Sequence, residues 1–169
     1  RSPSYIIQAE DGDRVTRFFY KEYEIIPGKP DLEGLPSVYA EKEDEAETLC
    51  VILEDECLHV QIRIYYTIFR EFDAICRHVE LENQGEQDIY IERLMSMSMD
   101  FAGDNYDLIT MTGSHTSEKN IHRRAISGDS VVIESCRGSS SPQGSPCVIL
   151  LDKESTESHG QVWGFNYVY

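Results

Sequence analysis

Alternation of apolar and polar residues with a period of two dominates this sequence, and it predicts β-strands rather than helices. The clearest case is the segment 58–69, in which the odd-numbered positions include His59, Arg63 and Tyr65. Its even-numbered positions form one continuous apolar face: Leu58, Val60, Ile62, Ile64, Tyr66 and Ile68. The pattern is typical of a strand that lays one face against a core.

The same alternation, carried by β-branched and aromatic residues, recurs from end to end. It predicts strands over residues 5–9, 16–26, 48–55, 58–69, 75–81, 89–99, 108–112, 131–135, 148–151 and 161–169. The turn residues at 83–86 predict that the strands on either side of them form a hairpin. No segment has helical periodicity over three turns, and the acidic residues 41–47 are interpreted as a solvated loop. About ten strands at short spacing predict an all-β fold, a large antiparallel β-sandwich formed by one domain, residues 1–169.

The charge balance excludes two classes of partner. The chain has 31 acidic and 15 basic residues, a net charge of −16. Nucleic acid requires a basic face, and anionic membrane surfaces attract one, so neither is expected as a partner. No apolar run approaches the ~20 residues that a transmembrane helix needs. The surface is therefore expected to be acidic and self-repelling.

The cysteines predict a reducing, cytoplasmic location. A disulfide framework favours an even count and a zinc site favours close pairs. The chain has five cysteines and no C-x-x-C pair: Cys50, Cys57, Cys76, Cys136 and Cys147. The first residue is Arg1 rather than Met, and the last is Tyr169, directly after an aromatic strand. We therefore expect a piece of a longer protein.

No combination of residues indicates a catalytic site. Residues 41–47 contain a run of carboxylates rather than the facing pair that a glycosidase needs. Asp100, Asp104 and Asp107 surround a glycine, but their spacing matches no calcium loop. The sequence contains no nucleophile elbow, phosphate loop or H-E-x-x-H helix. No catalytic residue, metal or cofactor is therefore expected in this chain.

Two candidate functions remain open before any family resemblance is considered, a carbohydrate-binding module and a sugar-epimerising enzyme. His115 lies in the polar segment 112–116 after a predicted strand, where ligand contacts are common, so it is a candidate binding residue. Trp163 shares one strand face with other aromatic residues, as core or as a flat platform for sugar rings. Either residue would serve a stand-alone carbohydrate-binding module. A sugar-epimerising enzyme of the mutarotase kind would need His78 and Glu80, or Arg77, to converge in a concave face.

Six segments resemble the N-terminal part of bacterial α-galactosidases of glycoside hydrolase family 36. They follow the family's order along the whole chain, and they include the run EAETL at 45–49 and HGQVWGFNYVY at 159–169. The segments are residues 1–5, 25–49, 92–101, 106–109, 134–141 and 159–169. Runs of this length are specific to the family.

The resemblance implies a β-supersandwich, similar to galactose mutarotase, ahead of a (β/α)₈ barrel. In the family both catalytic aspartates of a retaining mechanism lie on that barrel, so this chain would carry no catalytic residue. The intact protein would hydrolyse terminal α-linked galactose from sugars such as melibiose and raffinose. Family members often assemble as homotetramers, and their N-terminal domains support the barrel and help to shape substrate pockets.

One binding residue is implied by position. A family tryptophan that lies near the galactoside matches His115, and a family arginine two positions later matches Ser117. Histidine offers a smaller apolar face than tryptophan, but it can stack on a sugar or hydrogen-bond to a hydroxyl. His115 is therefore predicted to bind substrate in the intact enzyme.

Overall fold

The computed structural model describes residues 3–128, 130–134 and 143–168. Within them lie one short 3₁₀ helix, Glu43–Glu45, and ten strands. The strands are β1 (Tyr5–Ala9), β2 (Phe19–Pro27), β3 (Ala46–Asp55), β4 (Val60–Phe69), β5 (Ile75–Asn83), β6 (Ile89–Leu94), β7 (Tyr106–Ser114), β8 (Ser117–Ala125), β9 (Cys147–Asp152) and β10 (Val162–Asn166). Every strand pairing is antiparallel. The predicted all-β antiparallel fold is confirmed. No helix among the described residues has the length and apolar character needed to cross a membrane.

The first of two compact units contains residues 3–33 and 38–100. Its main sheet has the strand order β2-β3-β4-β5, and a separate two-stranded ribbon pairs β1 with β6. Ile7 on β1, Ile52 on β3, and Val60 and Ile62 on β4 are buried. On β4, however, Gln61 and Thr67 of the opposite face are also buried, whereas Tyr66 and Ile68 of the predicted core face are exposed, so the sequence pattern identifies only part of this core.

The main sheet of this unit is strongly amphipathic. We call one side the apolar face: Tyr20, Tyr23, Ile25, Leu49, Val51, Leu53, Val60, Ile62, Ile64, Tyr66, Ile68, Ile75, Arg77, Val79 and Leu81. The opposite side, which we call the polar face, also carries the apolar residues Phe19, Ile26, Ala46 and Phe69, and its positions on the central strands β3 and β4 are largely buried. Its other members are Glu22, Glu24, Thr48, Cys50, Ile52, Glu54, Gln61, Arg63, Tyr65, Thr67, Cys76, His78, Glu80 and Glu82. A β-bulge at Lys21 keeps Tyr20 and Tyr23 on the same face although they are three residues apart.

Asp55 organises the turn between β3 and β4. Its carboxylate is buried, with 2% of the residue exposed, and one oxygen accepts a hydrogen bond from the backbone N–H of Arg17 at 2.6 Å. The other oxygen accepts hydrogen bonds from the N–H groups of Cys57 and Leu58 at 3.0 and 3.1 Å. His59 follows with φ at +53°, so β4 begins at Val60 and not at residue 58 as predicted. His59 is therefore a turn residue and not a strand residue.

The second compact unit contains Gly34–Ser37 and residues 101–168. Its sheet has the strand order β10-β9-β7-β8, so β8 is an edge strand, and all nine of its residues are exposed. Leu150 and Leu151 on β9 are buried in this unit.

Three predictions about strands are wrong. β8 was not predicted, because its polar sequence has no apolar alternation. Residues 131–134 are not in a strand, and the rest of that predicted strand lies outside the described residues. β5 and β6 do not pair with each other, since β5 pairs with β4 and β6 pairs with β1. Turn residues mark a reversal of the chain, but they do not determine which strand becomes the partner.

Replacing Asp55 with alanine should lower the free energy of unfolding by about 2–4 kcal/mol, because three backbone N–H groups lose their acceptor. Chemical denaturation of both proteins measures this difference. Glu56→Ala is the matched control, since Glu56 is the exposed neighbour and should change stability by less than about 0.5 kcal/mol. Equal effects of the two substitutions would contradict the role given to Asp55.

Candidate functional site

His115 lies at the tip of the hairpin formed by β7 and β8. Ser114 pairs with Ser117, so His115 and Thr116 form a two-residue connection. Thr116 has φ at +68°, and its N–H donates to the carboxylate of Glu118 at 3.1 Å. The side-chain amide of Asn120 donates to the carbonyl of Ser117 at 2.9 Å. These local bonds fix the shape of the tip.

Gly113 allows the two strands to approach closely below this tip. A Cβ atom at residue 113 would lie 2.6 Å from the carbonyl oxygen of Ser117 and 2.8 Å from the Cα of Glu118. The register also shifts between Thr112 and Ser114, which is the sign of a β-bulge. The tip therefore depends on the absence of a side chain at residue 113.

At this tip the imidazole of His115 can contact a ligand. His115 is exposed and makes no hydrogen bond or ion pair with another described residue. An exposed imidazole can donate and accept hydrogen bonds or stack on an apolar surface. Ser117, which stands where the resemblance places an arginine, instead accepts hydrogen bonds from Asn120. Of these two residues, His115 is the one that has no hydrogen bond to another described residue.

A cleft with a mixed lining, which was not predicted, lies along β7 and β8 in the same unit. The Nε2 atom of His122 is hydrogen-bonded to the hydroxyl of Thr112 at 2.8 Å. The cleft encloses about 470 Å³, and its lining includes Thr110, Thr112, His122, Arg124, Ile133 and Glu134. Its only trace in the sequence is the basic run IHRR at 121–124 in an otherwise acidic chain.

Arg123 binds Asp107, which is one of the three aspartates considered as metal ligands. Its guanidinium donates to the carboxylate of Asp107 at 2.7 Å and to the carbonyls of Lys153 and Ser155 at 2.7 and 2.8 Å. Asp107 therefore helps to fasten the loop between β9 and β10 to β8. Across the described ranges, no three His, Cys, Asp or Glu residues are grouped so that they could hold a metal ion.

Trp163 is packed into an aromatic cluster and is not displayed as a platform. Its ring meets those of Phe101 and Tyr106 edge to face, with centroids 5.3 and 5.7 Å away. Phe165 meets Phe101 in the same way at 5.9 Å. Edge-to-face packing of this kind is typical of a core. The arrangement favours the core interpretation of Trp163 over a flat surface for sugar rings.

His78 lies on the polar face of the first unit, but it does not form an open acid–base pair. Its ring stacks on Tyr65 with centroids 4.2 Å apart and planes at 8°. Its Nε2 atom is buried without a hydrogen-bond partner, 3.9 Å from a carboxylate oxygen of Glu80. Burial lowers the pKa of His78, although Glu80 acts in the opposite direction.

The partners that an epimerase would need do not converge on His78. The carboxylate of Glu80 accepts the hydroxyl proton of Tyr65 at 2.9 Å. Burial is the largest cause of a raised pKa for Tyr65, and this hydrogen bond adds to it. Arg77 lies on the apolar face, where its guanidinium covers the ring of Tyr66 at 5.3 Å. The cluster is therefore structural in character, and it offers no exposed acid and base to a sugar.

Comparison with known proteins identifies the family. The glycosyl hydrolase family 36 N-terminal domain matches residues 1–169, which is the whole chain. The chain belongs to this family. Its sequence is 38% identical to the α-galactosidase Mel36A of Lactobacillus acidophilus over 99% of its length. It is 39% identical to the α-galactosidase AgaA of Geobacillus stearothermophilus over its full length.

The fold of this family 36 N-terminal domain agrees with those of solved relatives. The crystal structure of AgaA matches 100% of the chain with a TM-score of 0.95 at 39% identity. An α-galactosidase from Lactobacillus brevis matches 98% of it with a TM-score of 0.93 at 30% identity. The chain spans about a quarter of its relatives, since it covers 23% of Mel36A and 24% of the AgaA structure. Two other matching structures are substituted forms of AgaA in complex with raffinose and with stachyose.

Substituting Gly113 with alanine should distort the hairpin tip of the family 36 domain, because the new Cβ atom would overlap the backbone of β8. We expect a loss of about 1–3 kcal/mol in the free energy of unfolding, with amide NMR shifts concentrated in residues 112–120. Gly164→Ala is the control, because no atom lies within 4 Å of its Cβ position. Undisturbed amide shifts in Gly113→Ala would refute the close approach.

The stability of the domain should fall as the pH drops below about 6.5, the ordinary pKa of histidine, in part because of His78. Its pKa is lowered in the folded state, so the unfolded state binds the proton more tightly. The stability that neutral His78 contributes is complete above that pH and is lost on acidification through the folded pKa.

The free energy of unfolding of the His78→Phe variant should depend less steeply on pH between about 7.5 and 5.5 than that of the parent. Phenylalanine keeps the ring that stacks on Tyr65 but cannot bind a proton. Denaturation at several pH values measures both slopes. A parental slope in His78→Phe would exclude a contribution from His78.

Proposed function

We propose that this chain is the N-terminal, non-catalytic domain of a longer α-galactosidase that removes terminal α-linked galactose from sugars such as melibiose and raffinose. The match to family 36 over the whole chain supports this proposal. So do the relatives at 38 and 39% identity, which are α-galactosidases about four times as long. The catalytic aspartates would lie in the part of the enzyme beyond this domain.

The role of the domain is to support the catalytic barrel and to complete a substrate pocket with His115. The observation that carries this proposal is the hairpin tip, where His115 is exposed on a backbone shaped by Gly113. An imidazole in this position can hydrogen-bond to sugar hydroxyls or stack on the apolar face of a sugar ring. The bond to the terminal galactose would be cleaved by groups elsewhere in the enzyme.

The protein would act as a cytoplasmic homotetramer in which a hairpin tip reaches a pocket. The state of the cysteines supports a reducing compartment, because Cys50, Cys57, Cys76 and Cys147 all have free thiols. The proposed tetramer is supported by the family, whose members often assemble as homotetramers. It gives the exposed tip a pocket to reach on a neighbouring subunit.

Substituting His115 with alanine in the full-length enzyme should raise the KM for raffinose by roughly two- to tenfold with kcat nearly unchanged. A change of this size corresponds to one lost contact of about 0.5–1.5 kcal/mol. A change confined to KM is expected because His115 would bind the substrate and the transition state equally. Steady-state kinetics with raffinose measures both constants.

The His115→Trp variant provides the matched control, because it restores the residue that the family places there. It should lower the KM for raffinose, since the larger ring offers more apolar contact. If both variants had the KM of the parent, His115 would be an ordinary loop residue and the pocket would be complete without it.

A further inference from the structure

The hairpin that carries His115 contains two residues in an unusual backbone conformation. Thr116 has φ at +68° and Lys119 has φ at +57°, and His59 is the one other non-glycine residue with a positive φ in the part of the chain that the structure describes. A positive φ is disfavoured for residues with a β-carbon, and most of all for β-branched residues such as threonine. Strained conformations of this kind persist only where the surrounding structure holds them. The strain at residue 116 therefore needs a local cause.

Thr116 occupies a turn position that normally belongs to glycine or asparagine. Ser114 pairs with Ser117, so Thr116 is the third residue of a four-residue turn. A turn that needs a positive φ at this residue usually has glycine or asparagine there, because these residues adopt the left-handed region at little cost. Threonine lacks this freedom, so the turn must be stabilised by contacts with its neighbours.

The carboxylate of Glu118 provides that contact. It accepts a hydrogen bond from the backbone N–H of Thr116 at 3.1 Å, at the nitrogen of the bond about which φ is measured. The preceding residue is fixed as well, because the side-chain amide of Asn120 donates to the carbonyl and the hydroxyl of Ser117 at 2.9 and 3.2 Å. On the opposite side β7 approaches so closely that a Cβ atom at residue 113 would lie 2.8 Å from the Cα of Glu118. The backbone of Glu118 therefore has little freedom to move away from Thr116.

We propose that Glu118 is a positioning residue, which holds Thr116 in the left-handed conformation and thereby orients the imidazole of His115 toward the galactoside. Without this acceptor Thr116 returns to a negative φ, and rotation about its N–Cα bond moves His115 relative to β8. Glu118 does not itself touch the substrate in this arrangement. The inference rests on the proposed function, in which His115 binds the substrate of the intact enzyme.

Steady-state kinetics of the full-length enzyme with raffinose tests this role. Glu118→Ala should raise the KM by about two- to fivefold with kcat nearly unchanged, because only molecules whose tip keeps the correct shape bind raffinose through His115. The increase should not exceed that of His115→Ala, since that contact is the most that a displaced tip can lose. Glu118→Gln should keep the parental KM, because its amide oxygen can still accept the hydrogen bond. Glu86→Ala, which changes an exposed glutamate in the turn after β5, is the matched control and should also keep the parental KM.

Two double substitutions separate positioning from direct binding. In the His115→Ala background, Glu118→Ala should have no further effect on KM, because no imidazole is left to orient. Adding Thr116→Gly to Glu118→Ala should bring the KM back toward the parental value, because glycine adopts a positive φ without help from an acceptor. A further rise in KM in the His115→Ala background would mean that Glu118 contacts the substrate, and it would overturn the proposal.

The single substitutions distinguish a failure of this inference from a failure of the proposed function. A raised KM in His115→Ala together with a parental KM in Glu118→Ala would overturn the positioning role alone. A parental KM in both variants would overturn the proposed function and the positioning role with it. A crystal structure of the full-length Glu118→Ala variant reports the conformation directly, and a positive φ retained at Thr116 would contradict the role given to Glu118.

Discussion

The antiparallel register of β3 and β4 is the constraint on which the rest of the first unit depends. Ten consecutive residue pairs, from Ala46 with Phe69 to Asp55 with Val60, join the two central strands without a shift. A slip of one residue would send every apolar side chain of one strand to the opposite face. Asp55 prevents such a slip at the turn, because its buried carboxylate holds the backbone on both sides of it. The faces of β2 and β5 then follow from their pairing with these two strands.

The sequence could predict those strands in which the alternation of apolar and polar side chains distinguishes the two faces. The alternation along β4 identifies both of its faces, and the start of the strand was wrong by two residues only because His59 adopts a left-handed turn. β8 could not be found in this way, because an exposed edge strand buries no side chain and needs no alternation. The pairing partners of the strands could not be predicted either. The turn residues after β5 predict a hairpin with β6, but β6 pairs with β1.

The same limits apply to the candidate site. The position of His115 at a loop was predictable from polar residues that follow a strand, and family resemblance gave it a role. The close approach at Gly113 was not predictable, because it depends on where β8 runs. The burial of His78 and the packing of Trp163 are likewise properties of three dimensions. The site therefore consists of a residue that sequence can suggest and a backbone that only the fold supplies.

The bulge at Lys21 has a consequence for how this family can vary. Lys21 is an additional residue opposite a regular β3, and its ammonium group pairs with Glu54 at 3.0 Å. Losing that one residue would straighten β2 and still leave Tyr20 and Tyr23 on the apolar face. A deletion of one residue elsewhere in the strand would turn part of it over and move tyrosines to the face that carries glutamates. Evolution can therefore shorten β2 at one point, and changes of length among related enzymes should concentrate there.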